Sequence, residues 1–399
     1  MTKKDNLYAA NRQWSTRPAD ERFWGLQDLA SHLEKERARE QEKKICITDV
    51  QAIVRGEDIL LRGPEGKPAT LTNWSFGQLC KKANGAPASY LQGLPAKLAT
   101  TCLNHGLSHR STENDPDDNA ECKLLLHRNG GLQVRAITGP NYSRIWDERV
   151  IKSIQPALDL GWRIPPARPA VADPRARKAT KADILPNQEG FALSVKVGDM
   201  IAPAGVYRGD RDMFIFLVNP ERIIDDGNQG LMRGVFISNS EVGAKSFRVQ
   251  CFLMENVCGN HICWSANVLT DLRLIHRGKA NERFQGEMRD QLRQYHTAKS
   301  VPEEEMIVAA KKYRLGKDRD EVIENVFDMK ALLLNKNHIA AAFDLAEQWE
   351  HTALAAPVTI WGFVHGLTRY SQTLAYADAR DEMDQAGGKL LEKAVALAS

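Results

Sequence analysis

The sequence predicts an α+β protein: a central, mostly antiparallel sheet followed by a helical C-terminal region. Three observations carry this. Residues 247–254 alternate, with Phe247, Val249, Cys251 and Leu253 on one face and Arg248, Gln250, Phe252 and Met254 on the other. That is the period of a strand with one face on a core. Residues 213–218 are apolar throughout, which suits a strand in the middle of a sheet. After Asp271 the pattern turns helical to the end, and strands placed before helices favour α+β over a doubly wound sheet.

Residues 1–44 form a polar, helical segment. Within it Phe23, Leu26, Leu29 and Leu33 recur at helical spacing beside Trp24, and the charged run 34–44 reads as a solvated helix end or a linker. Residues 45–160 form an α+β region. It opens with strands at 45–54 and 58–62, closed by Gly63-Pro64-Glu65-Gly66. Helices follow from Thr72 through Cys80 and over 94–107, then a polar loop at 109–119. Strands 121–127 and 132–137 flank Arg128-Asn129-Gly130-Gly131, where glycine permits the positive φ of a tight hairpin. A helix starts near Ile145, and Pro156 is expected to kink or end it.

Residues 161–190 hold five prolines and the cations Arg168, Arg175, Arg177, Lys178 and Lys181. They read as an insertion or linker: an exposed loop, or a basic arm that touches phosphates. Residues 191–280 are the central β region, with strands at 191–197 and 212–218. Two further strands enclose the turn Asn239-Ser240-Glu241-Val242-Gly243-Ala244-Lys245, and a tight element Cys258-Gly259-Asn260-His261 follows. Residues 281–399 are helical, with helices expected over 282–296, 302–313, 321–335, 338–351 and 358–383. In the last, Trp361, Val364, Leu367, Tyr370 and Leu374 form an apolar stripe that either packs in the core or meets a partner.

Composition sets wide limits. A chain of 399 residues suits two or three domains, and 43% hydrophobic with 26% charged residues is ordinary for a globular core. A net charge of +3 does not demand nucleic acid, so any basic surface must come from local clustering. The seven cysteines are odd in number and contain no CxxC, which suits reduced thiols in a cytoplasmic protein. The N-terminus has no apolar signal core, and no apolar run approaches the ~18 residues of a membrane span, so no membrane partner is expected.

Enzyme motifs are sparse. Cys258, His261 and Cys263, with Cys251 nearby, lack the second ligand pair of structural zinc, so no metal and no cofactor are expected. The acids Glu241, Asp210, Asp212 and Asp226 lie beside strands, and Asp210-Arg211-Asp212 and Glu121-Cys122-Lys123 place like-faced groups at a period of two. Ser238 and Ser240 sit in no GxSxG context, and neither a GxxxxGK[ST] loop nor a GxGxxG is present. A non-enzyme is favoured. The cations Arg208, Arg211, Lys245, Arg248, Arg273, Arg277 and Lys279 cluster in the β region, and Phe252 shares the face of Arg248. Cations neutralising phosphates with an aromatic ring stacking on bases would suit a single strand, provided that face is open. Tyr142 and Arg144 form a second such pair.

The motifs Ser238-Asn239-Ser240-Glu241-Val242-Gly243 and Glu255-Asn256-Val257-Cys258-Gly259-Asn260 resemble an uncharacterised family found on phages, plasmids and other mobile elements. It is a domain of unknown function labelled "phage/plasmid-like protein". Tyr142-Ser143-Arg144, Arg211-Asp212-Met213-Phe214 and the segment from Trp361-Gly362 to Thr368-Arg369-Tyr370 are also similar to it, so the resemblance spans about 71–391. It implies a context of phage or plasmid DNA and confers no catalytic residues.

The expected function is therefore nucleic-acid binding, with single-stranded DNA bound or annealed in recombination or replication. Arg211, Lys245, Arg248, Phe252, Tyr142 and Arg144 would be the contacts, while Asn239, Glu241, Gly243, Gly259, Asn260 and His261 hold the motif turns. Alternatives are a metal-dependent enzyme on nucleic acid, using Glu241, Asp210, Asp212 and His261, or a factor that binds a host protein. A homo-oligomer is a further expectation.

Overall fold

The computed structural model describes residues 18–64, 66–109, 120–164, 174–184, 195–203, 205–224, 230–255, 261–262, 271–299, 301–348, 356–374 and 377–398. The fold class is α+β, with two antiparallel-rich six-stranded sheets and helices gathered towards the C-terminus.

Helix α1 (Leu26–Ala38) buries Leu26, Leu29 and Leu33, the spacing read from the sequence. The first sheet then forms from β1 (Glu40–Cys46), β2 (Gln51–Arg55), β3 (Asp58–Arg62), β4 (Pro68–Leu71), β5 (Glu121–Arg128) and β6 (Leu132–Thr138). Its order is β1-β5-β6-β4-β3-β2, and β4 runs parallel to β6. The charged run 34–44 is thus no linker. It ends α1 and supplies an edge strand, so the boundary expected at 44/45 falls inside β1.

The β5–β6 hairpin turns where expected, with Gly130 at φ +66°. Helices α2 (Asn73–Lys82), α3 (Ala88–Gln92) and α4 (Ala96–Ser108) share one hydrophobic core with this sheet, built on Ile47, Leu61, Leu79, Leu103 and Leu126. Thr72 caps α2 by accepting from the Ser75 backbone N–H at 3.1 Å. The Asn104 amide of α4 lies along β2, accepting from Ala52 N at 2.8 Å and donating to Ala52 O at 2.9 Å.

Helix α5 (Asp147–Asp159) carries Pro156 inside it and leads to Trp162, which is buried. Part of the proline-rich stretch is built into the fold: Arg163 pairs with Val218, and β7 (Arg177–Lys178) pairs with β8 (Met200–Ile201). Of the strand expected over 191–197, residues 191–194 lie outside the described residues, and 195–197 are not strand.

The second sheet contains β9 (Val206–Arg208), β10 (Met213–Ile224), β11 (Leu231–Asn239), β12 (Phe247–Glu255), β13 (His261–Ile262) and β14 (Asp271–Leu274). The order is β13-β12-β11-β10-β9, with β14 also on β12. One face packs Val206, Ile215, Ile237 and Val249 with Leu29 of α1, Ile151 of α5 and Phe284 of α6 (Ala280–Thr297). The other packs Phe214, Phe216, Phe236 and Phe252 with α7 (Val301–Lys312), α8 (Arg319–Asp328), α9 (Lys336–Glu347), α10 (Ile360–Thr373) and α11 (Ala377–Ala398). Ile307, Val322, Phe343, Trp361 and Leu390 are the core residues these helices contribute.

This covering corrects one expectation and decides between the two readings of another. The face of β12 that carries Gln250 and Phe252 is buried, so it is not an open platform. Phe252 is 1% exposed and its ring lies over Gly234, where a Cβ would stand 2.2 Å from ring atoms. The glycine is there because the ring occupies its side-chain space. The stripe Trp361, Val364 and Leu367 is core, and the last helix divides at Leu374 into α10 and α11. Among the described residues, no helix is long and apolar enough to cross a membrane.

Candidate functional site at the turn between β11 and β12

The turn that follows β11 is where the second sheet meets the first. Every residue of Asn239-Ser240-Glu241-Val242-Gly243 has an identifiable part in that meeting. Asn239 Nδ2 donates to Ile145 O at 2.9 Å and to Asp147 Oδ1 at 2.8 Å. Ser240 Oγ donates to Arg211 O at 2.6 Å and accepts from Ala244 N at 2.9 Å. The Val242 side chain packs with Leu125 and Ala136 of the first sheet, while its carbonyl accepts from Trp74 Nε1 at 2.9 Å and Gln78 Nε2 at 2.8 Å. Gly243 has φ +84°, a conformation that side chains disfavour.

Glu241 is the centre. One carboxylate oxygen lies 3.2 Å from Arg135 Nη1 and 3.5 Å from Arg208 Nη2, and the other accepts from the Asp147 backbone N–H at 2.9 Å. Arg144 Nη1 donates to the Glu241 carbonyl. Arg135 also pairs with Glu40 of β1 and donates to Asp210 O at 3.3 Å. Arg208 Nε stands 3.6 Å from Asp147 Oδ2. At the rim of the network Arg144 Nε bonds Glu42 at 2.8 Å, and Lys123 lies 3.6 Å from the same carboxylate.

The innermost members are three acids, Glu40, Asp147 and Glu241, against two guanidiniums, Arg135 and Arg208, all buried. Burial penalises each charge, and acids held this close resist ionising together, which favours a carboxyl that keeps its proton. Asp147 is the group this affects most: burial, then the Glu241 charge, push its carboxyl up to about 7. The Glu40 carboxyl is raised by the same two causes. Burial also acts on Glu241, but Arg135 and Arg208 outweigh it and hold that carboxyl below its ordinary value.

Beside this network Tyr142 and His276 stack, with ring centroids 5.0 Å apart. The Tyr142 hydroxyl donates to Ser240 O at 2.9 Å, and burial raises its pKa. Burial pushes the His276 imidazole down to about 4.

The expected contacts therefore divide. Arg144 and Glu241 are consumed inside the junction, Tyr142 is half-buried against it, and Phe252 belongs to the core. Arg211 is exposed, with its guanidinium 5.3 Å from the Trp74 ring centroid. Lys245 and Arg248 are half-buried, and Arg248 stands directly across from exposed Arg273 of β14, whose Nε lies 3.2 Å from Ser246 Oγ. Gly259 and Asn260 lie outside the described residues, as do Asp226, Cys258 and Cys263; of His261 only the backbone pairing with Met254 is described.

Of the residues of the metal-enzyme alternative, Glu241 is held by arginines, Asp210 is exposed in the turn before β10, Asp212 is buried, and the His261 side chain lies outside what is described. Among the described residues, no three His, Cys, Asp or Glu side chains are grouped to hold a metal. Sequence reasoning missed Glu40, Glu42, Arg135 and Asp147. The Glu40-x-Glu42 alternation was the one local signal, since a period of two sends both acids to one side of a strand.

Fold and site together define an α+β protein whose two sheets are joined by a buried ionic turn. The chain belongs to the DUF932 family, a domain of unknown function, whose sequence profile matches residues 182–394, more than half of the chain. The match contains the motif turn and leaves out the first sheet, so it is shorter at its N-terminal end than the resemblance over 71–391. No curated protein and no solved structure matches the chain.

Proposed function

We propose that this chain is a nucleic-acid-binding protein of a phage or plasmid, taking single-stranded DNA along the outward side of the motif turn. Arg211, Lys245, Arg248 and Arg273 are the contacts in this reading, and neither Phe252 nor Arg144 takes part. The observation that carries it is the direct cross-strand pairing of Arg248 with Arg273. Two guanidiniums on neighbouring strands offer donors that one phosphate could engage together. Lys245 lies in the turn before β12, its ammonium 5.6 Å from the Phe214 ring centroid, and exposed Arg211 lies in the turn before β10.

Labelled single-stranded DNA measured by fluorescence anisotropy at about 50 and about 200 mM salt tests the reading, because phosphate contacts make affinity fall steeply with salt. Binding should be present at the lower salt. The double variant Arg211→Ala/Arg273→Ala should weaken it and reduce the salt slope by about one per lost contact. Absence of salt-sensitive binding, or a double variant with unchanged affinity and slope, overturns it.

A further inference from the structure

The last turn of α4 carries two exposed histidines, His105 and His109, four residues apart and so on one face of the helix. Their rings lie against each other with centroids 4.2 Å apart and planes inclined by 27°. His109 Nδ1 stands 3.0 Å from the His105 carbonyl oxygen. A carbonyl oxygen can only accept, so Nδ1 donates in this contact, and in the neutral ring Nε2 is then the nitrogen with a lone pair. An imidazole that ligates a metal has this arrangement, with one nitrogen donating to a backbone carbonyl and the other facing the ion. Neither residue takes part in the ionic junction or the proposed DNA contacts, and both lie outside the family match at 182–394.

We propose that His105 and His109 form a two-histidine chelate for a divalent transition-metal ion that prefers imidazole, such as Ni2+, Cu2+ or Zn2+. Neutral imidazole suits these ions, with metal–nitrogen distances of about 2.0–2.1 Å for zinc. The stacked rings hold their lone pairs side by side, so each exposed ring turns about its own χ angles to bring the two to one ion. Among the described residues no third His, Cys, Asp or Glu is grouped with them.

Calorimetric titration of the full chain with Ni2+, and with Mg2+ as a control, tests this. Ni2+ should bind at one principal site and Mg2+ should not. His105→Ala and His109→Ala should each weaken Ni2+ about tenfold or more, and saturating Ni2+ should raise the melting temperature of the unsubstituted chain but not of either variant. Acidification to about pH 5 should release the ion, since protonated imidazole has no lone pair to give. Cys102, exposed about one turn earlier on α4, is the control: Cys102→Ser should leave the affinity unchanged. No binding, or binding that survives both histidine substitutions, overturns the proposal. So does a loss in Cys102→Ser as large as in the histidine variants.

Discussion

The two sheets solve the problem of a second face in different ways. The β9–β14 sheet is sealed on both sides by hydrocarbon, with the phenylalanine face under the C-terminal helices and the other under α1, α5 and α6. The β1–β6 sheet has hydrocarbon only towards α2 to α4. Towards its partner it offers a small apolar patch around Leu125 and Ala136, and beside that Arg135, Glu40 and Glu42. Apolar burial is indifferent to pH, whereas buried charges are sensitive to it. The stability of one sheet is therefore independent of pH, and that of the joint between the sheets is not.

Single substitutions on each side sharpen this contrast. Glu241→Gln keeps shape but leaves Arg135 and Arg208 facing one carboxylate fewer, and is expected to cost about 3–5 kcal/mol, the range for breaking a buried pair. Trp361→Ala should cost a similar 3–5 kcal/mol or so by leaving a cavity. Urea denaturation at two pH values separates them: the loss in Glu241→Gln should change with pH and the loss in Trp361→Ala should not. If both are equally independent of pH, the contrast fails. Gly234→Ala should cost about 1–3 kcal/mol by overpacking against Phe252, read from the shift in denaturation midpoint.

A smaller effect distinguishes the titrating groups of the junction. The Asp147 carboxyl lies above its ordinary value, at about 7, so its favourable contribution is complete below the unfolded value of 3.8 and is lost as pH rises through about 7. His276 has the opposite sign. Its imidazole lies at about 4, so its contribution is complete above the unfolded value of 6.5 and is lost as pH falls through about 4. Asp147→Asn should remove a decline in melting temperature between about pH 4 and 7, and His276→Gln should remove a rise of opposite sign between about pH 4 and 6.5. Thermal melts across the range check both, and coincident curves for the variants and the unsubstituted chain would remove either group from the account.

Much of the fold was legible where local pattern suffices. The alternation of 247–254, the apolar run of β10 and the glycines of the β5–β6 hairpin each describe a backbone that forms as read. What failed depends on partners distant in the chain. Glu40–Cys46 is too charged to read as a strand, because the groups that satisfy Glu40 and Glu42 are Arg135 and Arg144 from other elements. The same holds for the supposedly open face of β12. Its pattern correctly gives two faces, and nothing in that pattern says that helices a hundred residues later return to cover the second. At the site, the motif turn was legible as a turn, and its role as a docking element required seeing the arginines arrive.

The Asn104 amide on Ala52 has a consequence for assembly. It satisfies the outward N–H and C=O of Ala52, two of the groups an incoming strand would need, so at that residue the β2 border is blunted against templating a neighbouring chain.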